Sequence, residues 1–493
     1  MKPKLLFVFS LIVAHINSAY GQSIKPMGFS VNTEFTESHP LMTADGKILY
    51  FTSNRPLLPA EQKRNQASRS NIYRTLFNED SQTWEESTPM STLINDPESN
   101  NTAFALSNDG QLMLFYRKES NGKGFVYATK LNGNSWGEPT LITEFGIIEL
   151  SLSGSISSDN RTFFFIGKSE IPDDGTDIWR GKISENGSVY DISRIKDSIN
   201  SEKEETFIFI HPDGQTIYFS SNRNSSSGTF DIYYSQLKGD KWENPTILDA
   251  PLNSSYSELG FTMDASGRKA IFSSNRTNSQ FDLYSAQIDE KNSIPHSLTL
   301  LNGIVKDAEN GSPIGAVFNV SSLENQSSYG IFSSNSASGA FLISLPSKGK
   351  KYALNILADN YLLFSENISS AAAFNNSEKI ISLQEIKIGN SASLKNILFS
   401  EKNSKILPES AIEINQFYQF MLKNPTIKIE LSVFTHVSNS TNLDKNLSMK
   451  RSEELKNQLV RLGIDKKRIK LYKIPKYAKI AGIEEIYYTI VKI

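Results

Sequence analysis

The 493-residue sequence contains no cysteine and only five histidines. The absence of cysteine excludes disulfides, zinc–thiolate sites and a cysteine nucleophile, and it leaves no residue for a lipoprotein anchor. Secreted eukaryotic proteins of this length usually carry disulfides, so a bacterial envelope protein is the better expectation. The formal net charge of −2 gives no electrostatic case for nucleic acid or for an anionic membrane surface.

Long hydrophobic runs are missing after the N-terminus. Two lysines precede an apolar run from Leu5 to Ala14, and Ala19-Tyr20-Gly21 has the small-x-small pattern of a signal-peptide cleavage site. The run is too short to span a bilayer, and no later stretch reaches the roughly twenty apolar residues of a membrane helix. We expect residues 1–21 to be a signal peptide and the mature chain to start near Gln22, in the periplasm, without a transmembrane segment.

A repeat of about fifty residues occurs five times between Glu37 and Ser285. The clearest copy has His211-Pro212-Asp213-Gly214, then the strand-like run Ile217–Arg223, then Phe230-Asp231-Ile232-Tyr233. Asp-Gly favours a tight reversal because glycine tolerates positive φ, and the aromatic and β-branched run predicts a buried strand. The other copies turn at Asp45-Gly46, Asp109-Gly110, Asp159-Asn160 and Ser266-Gly267. Short strands with turn signals at this period predict the blades of a β-propeller.

The way the ring closes is also predicted from the repeat. Copy five lacks the last hairpin of the other copies, whereas residues 31–34 before copy one match residues 199–202 before copy four. This offset predicts that an N-terminal strand completes the last blade. Five repeats predict five blades, and the long spacing between Asp45 and Asp109 leaves room for a sixth.

The repeat resembles the TolB-like family of Pro-Asp-Gly propeller repeats, which are similar to WD repeats. The resemblance covers roughly residues 30–290 and implies a propeller domain over residues 22–295. Propellers host both binding and catalysis, so the resemblance indicates the fold more strongly than the function.

Residues 297–388 predict a small β-sandwich. Short alternating strands are joined by Gly/Pro turns such as Gly311-Ser312-Pro313 and Ser338-Gly339. This stretch resembles the transthyretin-like, carboxypeptidase regulatory-like modules found on many bacterial surface proteins, and the resemblance implies a spacer.

Residues 393–493 predict an α+β sandwich. Ile427–Val433 alternates as a half-buried strand, a helix follows Pro408, a second helix runs from about Leu443 to Leu462, and residues 486–493 form a closing strand. The predicted inward side chains are Ile414, Phe417 and Met421 on the first helix and Leu447, Leu455, Leu459 and Leu462 on the second.

This last stretch resembles the OmpA-like family, through Ile406–Ser410, Asn424-Pro425 and Leu447–Arg451. Members of that family bind peptidoglycan, and a Thr-Asp pair and an arginine hold the diaminopimelate of the stem peptide. A carboxylate there pairs with an ammonium group, and a guanidinium pairs with a carboxylate.

The resemblance implies a peptidoglycan site that departs in part from the residues of the family. Arg451 and Thr435 match the family, His436 stands at the position of the aspartate, and Asp444 could supply a displaced carboxylate. Histidine cannot replace a carboxylate as the partner of an ammonium group. Two interpretations follow: a domain that still binds peptidoglycan, or a domain that has lost this ligand.

Other motifs favour structural interpretations. Gly133-Asn134-Ser135-Trp136-Gly137 matches a nucleophile elbow but lies in a predicted hairpin. The Ser-Asn-Arg triplets ending at Arg55, Arg223 and Arg276 recur at one repeat position, which favours hydrogen bonds between blades. His39 and His211 share a repeat slot and are expected to be structural. The acidic cluster 173–177 lacks the spacing of a twelve-residue calcium loop.

Together these patterns predict a non-enzymatic, outer-membrane-associated envelope protein without cofactor or metal. Its propeller would bind a protein partner, and its OmpA-like domain would tether it to peptidoglycan. One alternative is an interaction scaffold whose OmpA-like domain no longer binds peptidoglycan. The three-part order resembles OmpA-family envelope proteins of the Bacteroidetes type, including a lipoprotein of their secretion machinery. A propeller hydrolase is a further alternative, and it would need carboxylates that converge on the central channel.

Overall fold

The computed structural model describes residues 22–57, 69–143, 145, 150–168, 175–184, 186–224, 229–277, 280–289, 293–296, 298–346, 349–370, 378–435, 444–472 and 484–493. The predicted signal peptide and His436 lie outside these residues. Strands dominate the described residues, and the two α-helices found among them lie in the C-terminal part. Within these ranges, no helix has the length and apolar character needed to cross a membrane.

Five antiparallel sheets, here called blades one to five, occupy residues 22–288. The N-terminal strand is β1 (Gln22–Pro26). Blade one contains β2 (Glu37–Met42), β3 (Ile48–Ser53), β4 (Asn71–Asn78), β5 (Thr83–Trp84) and β6 (Thr88–Pro89). Blade two contains β7 (Asn100–Leu106), β8 (Leu112–Lys118), β9 (Gly124–Asn132), β10 (Ser135–Trp136) and β11 (Thr140–Ile142).

The remaining blades follow the same order. Blade three contains β12 (Leu150–Ile156), β13 (Thr162–Lys168), β14 (Thr176–Ile183) and β15 (Val189–Arg194). Blade four contains β16 (Glu205–Ile210), β17 (Thr216–Ser221), β18 (Asp231–Lys238), β19 (Lys241–Trp242) and β20 (Thr246–Ile247). Blade five contains β21 (Glu258–Met263), β22 (Lys269–Ser274) and β23 (Asp282–Ile288).

The blades form a closed ring around their first strands. β2 contacts β7, β7 contacts β12, β12 contacts β16, β16 contacts β21, and β21 returns to β2. β1 pairs antiparallel with β23, with Gln22 opposite Ile288 and Pro26 opposite Tyr284. The prediction that an N-terminal strand completes the last blade is therefore confirmed, and the structure is a β-propeller.

The Asp-Gly turns link the first two strands of a blade as the sequence predicts. Gly214 has a φ of 67°, in the left-handed region that glycine tolerates without strain. The Asp213 carboxylate accepts hydrogen bonds from the backbone N–H groups of Gln215 (2.8 Å) and Thr216 (2.9 Å), which fixes the reversal.

The ring has two different faces because successive antiparallel strands reverse direction. The turns between first and second strands lie on one side, here called the turn face. The segments that link successive blades lie on the other side, here called the connector face. Residues beyond the ring contact the turn face: Asp109 accepts a hydrogen bond from the backbone N–H of Ser333 (3.0 Å), and the Asp159 carbonyl accepts one from Ile331 (3.1 Å).

Ile331 and Ser333 belong to one of two further sheets. Their strands are β24 (Leu298–Asp307), β25 (Val317–Ser322), β26 (Ser327–Ser333), β27 (Ala340–Pro346), β28 (Lys351–Leu357), β29 (Phe364–Ser369) and β30 (Lys379–Leu383). The sheet orders are β27-β24-β30 and β26-β25-β28-β29. The two sheets enclose a common apolar core that includes Phe318, Phe341 and Leu354, and we call this unit the sandwich.

The C-terminal unit is a four-stranded sheet with two helices. Its elements are β31 (Ser391–Leu394), α1 (Ala411–Lys423), β32 (Lys428–Thr435), α2 (Lys445–Arg461), β33 (Ile469–Leu471) and β34 (Glu484–Lys492). The sheet order is β31-β34-β32-β33. The predicted helices and strands are confirmed, and Ile414, Phe417 and Met421 are buried as expected.

The predicted inward face of α2 is partly wrong. Leu455 and Leu459 are fully buried, but Leu462 is 39% exposed because it lies at the end of the helix, beside Gly463. Buried serines extend the inward face instead. Ser448 and Ser452 accept hydrogen bonds from the β32 backbone N–H groups of Thr435 (2.9 Å) and Val433 (3.0 Å). Leucine periodicity alone does not reveal this close helix–strand contact.

A buried carboxylate joins the sandwich to the C-terminal unit. The Glu413 side chain of α1 is 1% exposed. One of its oxygens accepts hydrogen bonds from the Ser365 hydroxyl (2.6 Å) and the Lys395 N–H (2.9 Å). The other accepts from the side-chain amides of Asn355 (3.2 Å) and Asn396 (2.8 Å). These four bonds offset the desolvation of the charge and fix α1 against the sandwich.

Candidate functional site

The recurring polar residues of the propeller bind the connectors between blades. Arg276 donates hydrogen bonds to the carbonyls of Pro251 (3.0 Å) and Leu252 (2.6 Å) and to the buried Glu258 carboxylate (3.0 Å). Arg55 pairs in the same way with Glu37 (3.1 Å). The arginines have a structural role as predicted, but the prediction that they bond one blade to another is wrong. Each arginine bonds the connector that leads into its own blade.

Burial and ion pairing oppose each other at these carboxylates. Glu37 and Glu205 are fully buried, and desolvation raises the pKa of each, while Arg55 and Arg223 lower it. The guanidinium groups also lie over aromatic rings, as with Arg223, whose central carbon is 5.0 Å from the Phe219 ring centre. The N–H groups and the planar face of each guanidinium therefore contact other residues of the propeller.

Four asparagines form a second recurring contact, which the sequence analysis missed. They are Asn32, Asn95, Asn200 and Asn253, here called the connector asparagines. The Asn253 Oδ1 accepts from the Ile232 N–H (2.8 Å), and its Nδ2 donates to the carbonyls of Ile232 (2.9 Å) and Leu248 (2.8 Å). Each connector asparagine bonds a third strand of the preceding blade. Its recurrence before blades one, two, four and five was the available signal.

The central channel is narrow and contains no carboxylate among its described lining residues. It encloses about 40 Å³ between the first strands, and its wall includes Phe104, Gly154, Phe207 and Phe261. His39 lies in this wall beside the Phe207 ring, with 4.6 Å between ring centres. Burial lowers the pKa of His39 to about 4, so the imidazole is neutral at pH 7. The carboxylate pair that the hydrolase alternative needs is not present in this channel wall.

The weaker motifs also have structural roles. Ser135 lies in the β9–β10 hairpin, as predicted, rather than on a strand–helix elbow. His211 contacts the Asp264 carbonyl (3.0 Å), also as predicted. Asp177 accepts two hydrogen bonds from Arg194 (2.6 and 2.9 Å), while the rest of the acidic cluster 173–177 is only partly described. Within the described ranges, no group of His, Asp and Glu has the arrangement of a metal site.

The residues matched to the peptidoglycan site come together at the start of α2. The Thr435 hydroxyl accepts a hydrogen bond from Arg451 (3.1 Å), and the Thr435 carbonyl accepts one from the Asp444 N–H (2.8 Å). The Asp444 carboxylate caps α2 by accepting from the Leu447 N–H (2.9 Å). His436 lies outside the described residues, so its place beside this cluster remains a prediction.

Arg451 is turned into the protein. It is 4% exposed, and its guanidinium donates to the carbonyls of Ser400 (2.9 Å) and Asn403 (2.9 Å) and lies 5.0 Å from the Phe399 ring centre. A guanidinium with these partners fixes the segment 399–403 against α2. This arrangement leaves few donors for a ligand carboxylate.

Comparison with known proteins finds similarity among solved structures. No protein-family model and no curated protein matches the sequence. Among solved structures, the chain is similar to a putative TolB from Agrobacterium tumefaciens, with 20% identity and a TM-score of 0.33 over 52% of this chain and 78% of that chain. It is also similar to TolB from Acinetobacter baumannii, with 17% identity and a TM-score of 0.31 over 53% of this chain and 56% of that chain.

An enzyme is among the similar structures. The endo-arabinase from Bacteroides thetaiotaomicron has 13% identity and a TM-score of 0.36, over 54% of this chain and 96% of that chain. Identities and scores in this range assign neither an activity nor a partner. The propeller assignment rests on the closed ring of strands described above.

Proposed function

We propose that this chain is a non-enzymatic scaffold of the bacterial envelope that binds a protein partner through the connector face of its propeller. The observation that carries the proposal is the exposure of large apolar side chains in three successive connectors. Phe29 is 96% exposed, Tyr256 is 49% exposed and Leu93 is 40% exposed. Exposed aromatic side chains grouped on one face are typical of protein-binding surfaces.

The position of the sandwich supports the choice of face. Because the sandwich contacts the turn face at Asp109 and Asp159, a partner of the propeller meets the opposite face more readily. The propeller's polar repeat residues, by contrast, are used within the fold. Binding on this scaffold would therefore depend on the connectors, which are the variable part of a propeller.

Co-purification of partner proteins with the tagged chain would test this surface. An epitope-tagged chain carrying Phe29→Ser and Tyr256→Ser is compared in the producing cells with wild type and with Ile380→Ser. Ile380 is a matched control because it is 61% exposed but lies on the sandwich. We expect the double variant to lose a protein that wild type and the control retain. Equal recovery by all three chains would contradict the proposal.

Peptidoglycan tethering is the second candidate, and the hydrogen bonds that Thr435 accepts from Arg451 and from the Asp444 N–H support it. The burial of Arg451 favours the alternative, in which this cluster is structural. Co-sedimentation with purified sacculi distinguishes them, with Arg451→Ala compared with Lys450→Ala, an exposed neighbour on α2. The scaffold proposal predicts no sedimentation that depends on Arg451. Sedimentation lost only in a folded Arg451→Ala chain would instead establish a tether.

A further inference from the structure

We propose that the cleft between the propeller, the sandwich and the end of α1 binds an acidic polysaccharide. The cleft encloses about 1730 Å³, a volume large enough for several sugar residues. Lys130, Arg161 and Lys182 line it from blades two and three, and Lys423 lines it from α1.

Hydrogen bonds between the units hold the walls of this cleft in place. The Asn335 side chain accepts from the Gly133 N–H (3.1 Å) and donates to the Gly133 carbonyl (2.8 Å), which joins the sandwich to blade two. The Ser336 hydroxyl donates to Asn132 (2.6 Å). Glu413 fixes α1, which contributes Lys423 to the lining, to the sandwich. A ligand would therefore meet a preformed site and would not have to order the walls.

The described lining of the cleft has four cations and four carboxylates, which differ in the partners they already have. Within the described part of the chain, Lys130, Arg161, Lys182 and Lys423 form no ion pair. Two of the four lining carboxylates are used in turns. Asp109 accepts bonds from Ser107 and Ser333, and Asp159 accepts bonds from the N–H groups of Arg161 and Thr162. The remaining lining carboxylates, Asp191 and Asp359, are exposed.

The positive surface continues beyond the cleft. Arg468 donates to the carbonyls of Met421 (2.9 Å) and Asn424 (2.6 Å), which places the exposed Lys466 and Lys467 beside the end of α1 where Lys423 lies. A long anion that leaves the cleft past Lys423 therefore meets further cations.

Positive charge is concentrated in the C-terminal unit, which contributes Lys423 to the cleft. Residues 393–493 contain 18 Lys and Arg against 10 Asp and Glu, whereas the complete sequence contains 51 against 53. The net charge of −2 conceals this segregation, so it was a poor guide to anion binding. A basic region of this kind attracts a polyanion over a longer range than any single contact.

The remaining lining chemistry favours a sugar polymer over a lipid or a simple ion. Amide and hydroxyl side chains both donate and accept hydrogen bonds, as sugar hydroxyls require, and a lipid surface would instead need apolar side chains. Tyr190 is 55% exposed in the cleft and offers a ring face for stacking on a sugar. The amide and hydroxyl residues include Asn132, Asn160, Ser184, Asn186, Ser336 and Asn360.

Fluorescence anisotropy with a labelled oligogalacturonate of about ten sugars would test this site, because this oligomer carries one carboxylate per sugar. A neutral malto-oligosaccharide of equal length is the ligand control. The mature chain is compared with Lys130→Ala/Lys182→Ala and with Lys118→Ala/Lys123→Ala. The control pair removes the same charge from blade two, from exposed lysines on the opposite face of the ring.

We expect the acidic oligomer to bind and the neutral oligomer not to bind. The affinity for the acidic oligomer should fall as the salt concentration rises. The cleft variant should weaken binding about tenfold, since each lost charge-assisted contact costs roughly 0.7 kcal/mol or more. The control pair should change it less than about twofold. Equal binding of the neutral oligomer, an equal loss in both variants, or no binding of the acidic oligomer would each overturn the proposal. Binding only to phosphatidylglycerol vesicles would overturn it in favour of a lipid surface. None of these results depends on the connector face.

Discussion

The connector asparagines make a quantitative prediction about how the ring is held together. Asn253 is 7% exposed and makes three hydrogen bonds to the backbone of blade four. In Asn253→Ala, the Ile232 carbonyl keeps a bond from the Leu248 N–H (3.0 Å). The Ile232 N–H and the Leu248 carbonyl lose the side-chain partner that the asparagine provides.

The cost follows from the two backbone groups that lose this partner. Each buried group without a partner costs about 1–3 kcal/mol, so Asn253→Ala should lower the free energy of unfolding by about 2–6 kcal/mol. In a domain of this size, 1 kcal/mol lowers the melting temperature by about 2–4 °C, which gives a decrease of roughly 4–24 °C. Asn200→Ala should lower the stability by a similar amount, because the Asn200 side chain makes the equivalent three hydrogen bonds in blade three.

Scanning calorimetry of the mature chain measures this effect. Asn134→Ala is the control, because Asn134 is an exposed hairpin residue of the same propeller. The propeller transition should fall in both connector variants and stay within about 2 °C of wild type in the control. A connector variant that melts with the control would refute the reasoning that side chains, rather than strand pairing alone, join each connector to its blade.

Three further predictions concern the joints and the channel. Glu413→Ala leaves four donors without their carboxylate and should lower the free energy of unfolding by about 3–5 kcal/mol in chemical denaturation; an unchanged midpoint would contradict this. Removing residues 22–26 exposes the outer edge of β23, which then pairs with β22 alone, and should make the propeller protease-sensitive, whereas full resistance would contradict ring closure. His39 has a pKa of about 4 when folded, so the unfolded chain binds its proton first as the pH falls below about 6.5. The free energy of unfolding should therefore fall by up to about 3 kcal/mol between pH 6.5 and 4, and this decrease should be absent in His39→Gln. An equal pH dependence of stability in wild type and His39→Gln would contradict this prediction.

The sequence predicts those parts of the fold that local patterns encode. The Asp-Gly turns and aromatic runs predict the propeller strands, and the offset before blade one predicts strand β1. The alternation over Ile427–Val433 and the proline at Pro408 predict the C-terminal elements. In each case the conformation of a short segment is determined by the residues within that segment.

The candidate sites could not be predicted to the same degree, because they depend on contacts between distant segments. Arg451 has its family position in the sequence, but its burial depends on the carbonyls of segment 399–403. The cleft arises where blade two, the sandwich and α1 meet, and Lys182 and Lys423 are 241 positions apart. Leu462 fits a helical pattern, yet the pattern does not show where the helix leaves the core.

Site-specific photo-cross-linking tests the central claim, that the connector face binds a protein, most directly. A photoreactive amino acid replaces Tyr256 on that face or Ile380 on the sandwich, and both chains are irradiated in the producing cells. The account predicts a discrete adduct with one envelope protein at position 256 and none at position 380. Adducts at both positions, or none at position 256, would contradict it.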